Sequence, residues 1–461
     1  MKGVSSYLKL ITILTMAMSL LAAFGSAADA NSGESNGHIK SATAITEVFG
    51  DGQKVSAVAV EYDKDVVNAK LKKSAFSVDG RTVSKVYANS TAAKSANGTD
   101  GRYVIIELAK PPQTSRGRGG GPGGQSGPGA QPGLGGPDAQ SGRGGPGISL
   151  GGENAILEAQ NSLKASVTQV GEVTVSDGQK YPPVTTAIKS TKTVNLVVDD
   201  FQHFTFKDPE TGLDLMYNLY IPKNYDKNKS YPMVLFIHDA GATSNQMTTT
   251  LTQGVGAVIW ATPSDQVKHE CFVLAPQYSR GAVVNDNSEY SADLDVTVRL
   301  VKDVAGCYSI DKDRIYTTGQ SMGCMMSIAM QIKYPDLFAA SMLVAGQWDA
   351  QKMKAIAHKN MWILVGEGDT KAFPGMTAST AAMEEAGGKV SRAKWNARAG
   401  EAEMAANVKK MIDEGNNIKF VVFEKGTVFP EGVAGGMEHM QTWVVAYYID
   451  GVRDWLFTQK K

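Results

Sequence analysis

The stretch that decides the fold is Ile315-Tyr-Thr-Thr-Gly-Gln-Ser-Met-Gly-Cys-Met-Met-Ser-Ile-Ala-Met-Gln-Ile-Lys333. Its first four residues have the composition of a strand, and Met322–Lys333 has the apolar periodicity of an amphipathic helix. Between them, Gly319-Gln-Ser-Met-Gly323 matches G-x-S-x-G, in which a serine lies on a sharp strand-to-helix turn. The glycines let neighbouring backbone pack closely, and the turn exposes the hydroxyl at the end of a sheet. Ser321 is therefore the predicted nucleophile.

A second match to the same pattern, Gly147-Ile-Ser-Leu-Gly151, has a different context. It lies in residues 114–152, which are rich in Gly with Pro, Gln, Ser and Arg and have almost no apolar side chains. Such a composition cannot build a core and predicts a disordered insertion. Because no strand precedes this match and no helix follows it, we reject Ser149 as a nucleophile.

The region around the first match, residues 201–461, alternates apolar strands with helical stretches. This alternation predicts an α/β fold, a mostly parallel sheet with helices on both faces. The predicted strands are Met233–Ile237, Cys271–Leu274, Ile315–Thr318, Ala340–Val344, Met361–Val365 and Ile418–Phe423. The predicted helices are Asp293–Asp303, Met322–Lys333 and Glu401–Glu414.

Residues 37–200 have a different pattern, in which short segments rich in β-branched residues alternate with turns that contain Gly, Asn and Asp. The predicted strands are Thr43–Phe49, Lys54–Tyr62, Arg81–Tyr87, Arg102–Leu108, Ser166–Val175 and Thr191–Val198. This pattern predicts an all-β immunoglobulin-like sandwich ahead of the α/β region. Residues 114–152 are predicted to be a loop inside the sandwich, with an interdomain linker as the alternative.

The base and the acid follow from chain order, because this fold places an acid and then a histidine after the serine. Of six histidines, only His358 and His439 follow Ser321. Asp369 ends a predicted strand and turn, and His358 precedes it, so His439 is the predicted base. Asp369 is the predicted acid, which would orient the imidazole. The alternative acids are Glu367 and Asp349.

The predicted oxyanion hole uses backbone N–H groups on two loops. His238-Asp-Ala-Gly241 follows the strand Met233–Ile237, and this fold places an oxyanion-binding loop there. Asp239 and Ala240 are the predicted donors on this loop, and the N–H of Met322 is the predicted second donor. Asp239 stands where a glycine is usual, and the His238 side chain is predicted to be structural.

Composition excludes several other classes of function. Among the 461 residues, 46 Lys and Arg balance 46 Asp and Glu, so no nucleic-acid partner is indicated. No His and Cys cluster has zinc spacing, and the Asp286–Asp295 stretch does not match a calcium loop, so neither a metal nor a cofactor is predicted. Three cysteines make no disulfide framework, and a Cys271–Cys307 bridge or small buried side chains are the alternatives.

The first residues have the pattern of an export signal. Lys2 and Lys9 precede the apolar run Leu10–Phe24, and small residues follow it, which predicts cleavage of residues 1–30 and a secreted protein. A transmembrane anchor is the alternative for this run. No later stretch is long and apolar enough to span a membrane.

Four segments resemble bacterial secreted α/β-hydrolase esterases akin to polyhydroxybutyrate depolymerases and feruloyl esterases. They are Gly319-Gln-Ser-Met-Gly323, Ala275-Pro-Gln-Tyr278, Gly366-Glu-Gly-Asp369 and Val452-Arg-Asp-Trp-Leu-Phe457. The resemblance covers 201–461 well and is looser over 40–200. It implies hydrolysis of carboxylic esters, from small molecules or polysaccharides, by Ser321, Asp369 and His439. It also suggests Gln347 and Trp348 near the substrate, and Gln320 is a further predicted substrate-binding residue.

Two other functions remain open from the sequence. Similar domains occur in prolyl-oligopeptidase-like serine peptidases, although no acidic pair that would bind a peptide N-terminus is evident. A carbohydrate- or surface-binding protein without catalysis is the third hypothesis, and the intact Ser, Asp and His argue against it. The sequence leaves the natural substrate and the oligomeric state undetermined.

Overall fold

The structure, a computed structural model, describes residues 37–110, 163–433 and 436–461. The predicted export signal (1–30), the predicted insertion (114–152) and Ser149 within it lie outside these ranges. Within the described ranges, no helix combines the length and the hydropathy that crossing a membrane requires.

The N-terminal region is built of strands. They are β1 (Ile39–Phe49), β2 (Gly52–Val66), β3 (Phe76–Val78), β4 (Val83–Asn89), β5 (Gly101–Leu108), β6 (Ser166–Gln169), β7 (Val173–Thr174), β8 (Lys180–Tyr181), β9 (Ile188–Lys189) and β10 (Lys192–Asn195). A five-stranded sheet in the order β10-β1-β2-β5-β4 and a three-stranded sheet in the order β3-β6-β9 share one buried core. Strands β7 and β8 form a short ribbon. The prediction of an all-β N-terminal region is confirmed.

The predicted strand Ser166–Val175 is two strands, because the chain leaves the sheet after Gln169. The N–H groups of Val170 and Gly171 both donate to the carbonyl oxygen of Ala75. A Cβ atom on Gly171 would lie 2.9 Å from the Cα atom of Ala75, so a larger residue would not fit there. This close approach explains the break.

The C-terminal region contains a nine-stranded sheet. Its strands are β11 (Phe201–Lys207), β12 (Asp214–Tyr220), β13 (Tyr231–Ile237), β14 (Phe272–Gln277), β15 (Ile310–Gln320), β16 (Ala340–Val344), β17 (Asn360–Gly366), β18 (Val390–Trp395) and β19 (Ile418–Phe423). Their order is β11-β12-β14-β13-β15-β16-β17-β19-β18. The strands from β14 to β18 in this order pair in parallel, whereas β11 and β12 add an antiparallel edge. The predicted mostly parallel sheet is confirmed.

Helices cover both faces of this sheet. They are α1 (Thr249–Thr252), α2 (Val255–Val258), α3 (Pro263–Lys268), α4 (Asp293–Cys307), α5 (Met322–Lys333), α6 (Ala350–Met353), α7 (Ala372–Glu385), α8 (Glu401–Asp413), α9 (Glu438–Ala446) and α10 (Asp450–Phe457). Leu235 and Ile237 of β13 pack with α4 and α5 in one core. Val234 and Phe236 face the opposite core, which contains residues of α9 and α10. Alternate side chains of the fully buried strand β13 therefore pack into two different apolar layers, one on each face of the sheet.

The sequence analysis missed the strands at the two edges of the sheet. Strand β11 has the sequence Phe-Gln-His-Phe-Thr-Phe-Lys, and β18 has Val-Ser-Arg-Ala-Lys-Trp. Both mix polar with apolar residues, because one face of an edge strand meets solvent. A search for continuous apolar runs finds the central strands and passes over such edges.

All three cysteines are free, with Cys271 and Cys324 buried and Cys307 exposed at the end of α4. The Cys271–Cys307 bridge is therefore absent from the structure. Burial raises the pKa of the Cys271 thiol and of the Cys324 thiol. Burial and the charge of Asp303 raise the pKa of the Cys307 thiol.

Candidate active site

Ser321 lies between β15 and α5 with φ 52° and ψ −117°, an unusual backbone conformation for a residue with a side chain. Its N–H donates to the carbonyl oxygen of Val344 at 3.0 Å, which ties the turn to the neighbouring strand β16. The strained turn is the expected conformation of a nucleophile at the end of a sheet.

The two glycines of the motif are required by close backbone contacts. A Cβ atom on Gly323 would lie 2.0 Å from the carbonyl oxygen of Ile237. A Cβ atom on Gly319 would lie 2.4 Å from the carbonyl carbon of Gly323. The start of α5 thus packs directly on the end of β13, and this packing fixes the position of Ser321.

His439 is the second residue of α9 and reaches both partners. Its Nε2 atom lies 2.8 Å from Ser321 Oγ, and its Nδ1 atom lies 2.5 Å from Asp369 Oδ2. The ring also makes an edge contact with Trp443, one helical turn later, with centroids 5.3 Å apart. The structure therefore brings the three sequence-predicted catalytic side chains into one hydrogen-bonded line.

Asp369 lies in the turn after β17 and is 4% exposed. Its Oδ1 atom accepts the N–H groups of Lys371 at 3.0 Å and Ala372 at 2.9 Å, which leaves Oδ2 for the histidine. Burial raises the pKa of the Asp369 carboxyl. The hydrogen bond from His439, the charge of His439 and the two backbone hydrogen bonds together lower the pKa by more, so it lies below its ordinary value. Asp369 is thus an anion at neutral pH.

An ionised carboxylate can only accept, so it selects the tautomer of the histidine with the proton on Nδ1. The Nε2 atom then has a free lone pair, which can accept the Ser321 hydroxyl proton. This arrangement can generate a nucleophile without a metal ion.

The alternative acids have other partners. The Glu367 carboxylate accepts from Lys394 Nζ at 2.8 Å and from the N–H of Lys425 at 2.9 Å. The Asp349 carboxylate caps helix α6 by accepting the N–H groups of Gln351 and Lys352. Each carboxylate is thus occupied elsewhere in the structure.

The predicted oxyanion donors lie on the loops that follow two adjacent parallel strands, β13 and β15. Met322 is the first residue of α5, and Ala240 is the first residue of a short 3₁₀ turn, Ala240–Ala242. The first N–H of a helix has no partner inside that helix, so both groups are available to an external oxygen. Their use as an oxyanion hole stays a prediction.

Asp239 contributes through its side chain, a role that the sequence analysis missed. Its Oδ1 atom accepts the N–H of Gly241 at 2.8 Å, and its Oδ2 atom accepts from Gln320 Nε2 at 3.0 Å. The carboxylate therefore caps the 3₁₀ turn and ties it to the residue before Ser321. This contact explains the presence of an aspartate where a glycine is usual.

The buried His238 side chain supports the same loop, since its Nε2 atom accepts the N–H of Tyr278 at 3.0 Å. Burial lowers the pKa of this imidazole, in keeping with a neutral acceptor.

The predicted substrate-binding residues occupy different environments. Gln320 is 1% exposed and bonds to Asp239, and Trp348 is 6% exposed and packs in the core. Gln347 donates from Nε2 to Asp286 Oδ1 at 2.8 Å, and Asp286 also pairs with Lys371 Nζ at 2.6 Å. These contacts join the loop before α4 to the acid turn. Substrate binding by Gln320, Gln347 and Trp348 stays a prediction.

The described residues contain no group of three or more His, Cys, Asp or Glu side chains arranged to hold a metal ion.

Both regions of the chain match known protein families. Residues 41–182 match the family described as "Esterase Ig-like N-terminal domain", and residues 209–408 match the family described as "Putative esterase". Each match covers less than half of the chain, and the second includes Ser321 and Asp369. The N-terminal sandwich is therefore of the Ig-like type, as the sequence predicted.

A solved structure described as a thermostable esterase superposes on 92% of the chain and 100% of its own, with a TM-score of 0.70 and 27% sequence identity. The prediction of an α/β-hydrolase fold behind an Ig-like domain is confirmed.

Curated relatives match shorter segments. Acetylxylan esterase A of Aspergillus ficuum is 30% identical over 146 residues, which are 31% of this chain and 45% of that protein. Poly(3-hydroxyalkanoate) depolymerase C of Paucimonas lemoignei is 31% identical over 87 residues, which are 17% of this chain and 21% of that protein. The chain thus spans less than half the length of these relatives.

Proposed function

We propose that this protein hydrolyses carboxylic esters through an acyl-enzyme on Ser321. The observation that carries the proposal is the hydrogen-bonded line from Ser321 Oγ through the His439 ring to the Asp369 carboxylate. The match to an esterase family supports the ester as the substrate class.

In the first half of the reaction, Ser321 Oγ attacks the ester carbonyl carbon while His439 Nε2 takes the hydroxyl proton. The tetrahedral oxyanion accepts hydrogen bonds from the N–H of Met322 and from the Asp239–Ala240 loop. His439 then returns the proton to the departing alkoxide, the C–O bond of the ester breaks, and the alcohol leaves an acyl-enzyme.

In the second half, a water molecule attacks the acyl-enzyme and gives its proton to His439. The carbon bond to Ser321 Oγ breaks, the serine regains the proton, and a carboxylic acid is released. Asp369 stabilises the imidazolium in both halves and keeps its own charge.

The test is hydrolysis of p-nitrophenyl acetate and of acetylated xylan by the purified protein, since curated relatives are named as acetylxylan esterases. We expect turnover by the wild type and by Ser149→Ala, and a loss of about 10⁴-fold or more in kcat for Ser321→Ala. A fluorophosphonate probe should label the wild type at Ser321. Turnover that survives Ser321→Ala, or a wild type that neither turns over nor is labelled, would contradict the proposal.

We further propose that the chain is exported and cleaved after residue 30, with an Ig-like domain at 37–200 and a catalytic domain at 201–461. The charged start and apolar run of the first residues support export. N-terminal sequencing of the protein recovered outside the cytoplasm should begin near residue 31. Recovery of an uncleaved chain in the cytoplasm would overturn export.

A further inference from the structure

Glu438 immediately precedes His439 and is buried at the start of helix α9, with 7% of its surface exposed. Its carboxylate reaches two backbone donors on separate segments. Oε2 accepts the N–H of Gly368 at 2.6 Å, and Oε1 accepts the N–H of Gly426 at 2.7 Å. Gly368 directly precedes Asp369, and Gly426 lies on the loop after β19. One side chain therefore joins the acid turn, this loop and the helix of the base.

The glycines of the turn that precedes Asp369 leave space for the Glu438 carboxylate. A Cβ atom on Gly368 would lie 2.3 Å from Glu438 Cδ and 2.4 Å from Oε1, and the three nearest atoms all belong to Glu438. The backbone of Gly368 does not require glycine, because its φ is outside the left-handed region. A Cβ atom on Gly366 would also lie 3.1 Å from Glu438 Oε2. The Gly-Glu-Gly-Asp sequence thus makes room for the carboxylate.

These contacts hold the Asp369 carboxylate in line with the His439 ring. Asp369 is held on its far side by the N–H groups of Lys371 and Ala372, and its own N–H donates to Gly366 O. Glu438 holds the preceding residue and begins the helix that carries His439. Hydrogen bonds from N–H groups to a carboxylate are short and strong, so they resist small displacements of the turn.

We infer that Glu438 is a positioning residue that holds the Asp369 turn in register with the His439 ring during ester hydrolysis, an inference that rests on the proposed function. The Glu438 carboxylate bonds to Gly368 and Gly426 rather than to Ser321, and it acts through the Asp369–His439 hydrogen bond. This role is additional to the three catalytic side chains.

The first variant is Glu438→Gln, which keeps the shape of the side chain. An amide has one oxygen, so its NH₂ group must face the N–H of Gly368 or of Gly426, and one hydrogen bond is replaced by a repulsive contact. Misplacing a catalytic group by about 1 Å costs up to about 10²-fold in rate. We expect kcat to fall roughly 10- to 100-fold per active site titrated with fluorophosphonate, with KM changed less than about two-fold.

Glu367→Gln is the matched control, because Glu367 lies in the same turn but its carboxylate accepts from Lys394 and Lys425. We expect this variant to keep kcat within about two-fold of the wild type. If both variants lose the same fraction of kcat, or if Glu438→Gln lowers only the melting temperature, Glu438 is merely structural and the inference is overturned.

A double-mutant cycle tests the contact itself. Gly368→Ala should lower kcat in the wild-type background, because its methyl group displaces the carboxylate. In the Glu438→Ala background the methyl group has space, so the same substitution should have little further effect. An equal fold-change for Gly368→Ala in both backgrounds would overturn the inference.

A readout without turnover separates this inference from the proposed function. The proton shared by His439 Nδ1 and Asp369 should give a low-field NMR resonance in the wild type. We expect Glu438→Gln to shift or broaden it and Glu367→Gln to leave it unchanged. A resonance that Glu438→Gln leaves unmoved overturns the positioning role. If Glu438→Gln shifts the resonance as predicted but the wild type hydrolyses no ester, only the proposed function is overturned.

Discussion

The nucleophile side and the acid–base side of the candidate site are held in position by different means. On the nucleophile side, Gly319 and Gly323 pack backbone against backbone, and Ser321 is fixed between a strand and a helix that follow each other directly. On the other side, Asp369 lies in the turn after β17 and His439 lies in helix α9, and the carboxylate of Glu438 joins these two segments.

This difference separates two kinds of constraint. The close backbone packing depends on residues that are adjacent in sequence. Added side-chain volume disrupts it, because tightly packed backbone cannot move aside. Polar contacts between distant segments fail when a donor or an acceptor is removed, even if the volume is kept. The two sides should therefore respond differently to substitutions that preserve shape and to substitutions that add atoms.

The largest effect is expected for Asp369→Asn, which keeps the volume and removes the charge. An amide can hold the histidine in the wrong tautomer, so Nε2 no longer accepts the serine proton, and kcat should fall about 10⁴-fold. Steady-state kinetics on p-nitrophenyl acetate measure this loss, with circular dichroism as the control for folding. A loss below about tenfold would show that the acid–base side tolerates loss of charge.

The next effect is expected for Gly323→Ala, which adds one methyl group to the nucleophile side. The new Cβ atom would lie 2.0 Å from the carbonyl oxygen of Ile237, so helix α5 must shift. We expect the free energy of unfolding to fall by about 1–3 kcal/mol, as in other overpacked sites. Urea denaturation measures the change, with Gly306→Ala in helix α4 as a comparison, because an added Cβ atom there meets no other atom within 4 Å. Unchanged stability would argue against rigid packing at this turn.

A smaller effect is expected for Asp239→Ala, where a polar contact supports the nucleophile side. The variant loses the cap on the 3₁₀ turn and the bond to Gln320, which should cost about 1 kcal/mol of stability. The backbone donors of the loop would lose their alignment, so kcat should fall about tenfold, less than after loss of a whole oxyanion donor. Asp349→Ala, which removes the cap of α6, is the control. Equal kcat losses in both variants would contradict a local role for Asp239.

The smallest effect is expected in the dependence of stability on pH. The pKa of Asp369 is lowered in the folded protein, so the carboxylate contributes stability above its unfolded pKa of about 3.9 and loses it as the pH falls through the folded value. The difference in the free energy of unfolding between wild type and Asp369→Asn should be greatest above about pH 4 and shrink below it. Urea titrations at several pH values measure this difference, and a constant difference would contradict the shift.

Local patterns were sufficient to predict part of the molecule. The Ser321 turn follows from one strand, one helix and two glycines, all adjacent in sequence. The central strands follow from continuous apolar runs, and Asp369 and His439 were predicted from the chain order that this fold imposes.

Other features depend on residues that meet only in the folded chain. Asp239 and Gln320 are 81 positions apart, and Gly368 and Glu438 are 70 positions apart. No periodicity links such pairs, because their contact results from the parallel order of strands β13, β15, β17 and β19. The edge strands were missed for a related reason, since solvent on one face interrupts their apolar pattern.

The exposed Cys307 also makes the molecule easy to orient on a solid support. Cys271 and Cys324 are buried, so a maleimide surface should capture the chain at Cys307, most rapidly at mildly alkaline pH because its thiol pKa is raised. Cys307 precedes β15, whose far end carries Ser321, and a strand of this length spans roughly 30 Å. A tethered layer would therefore present the serine end of every molecule to the solution, away from the support.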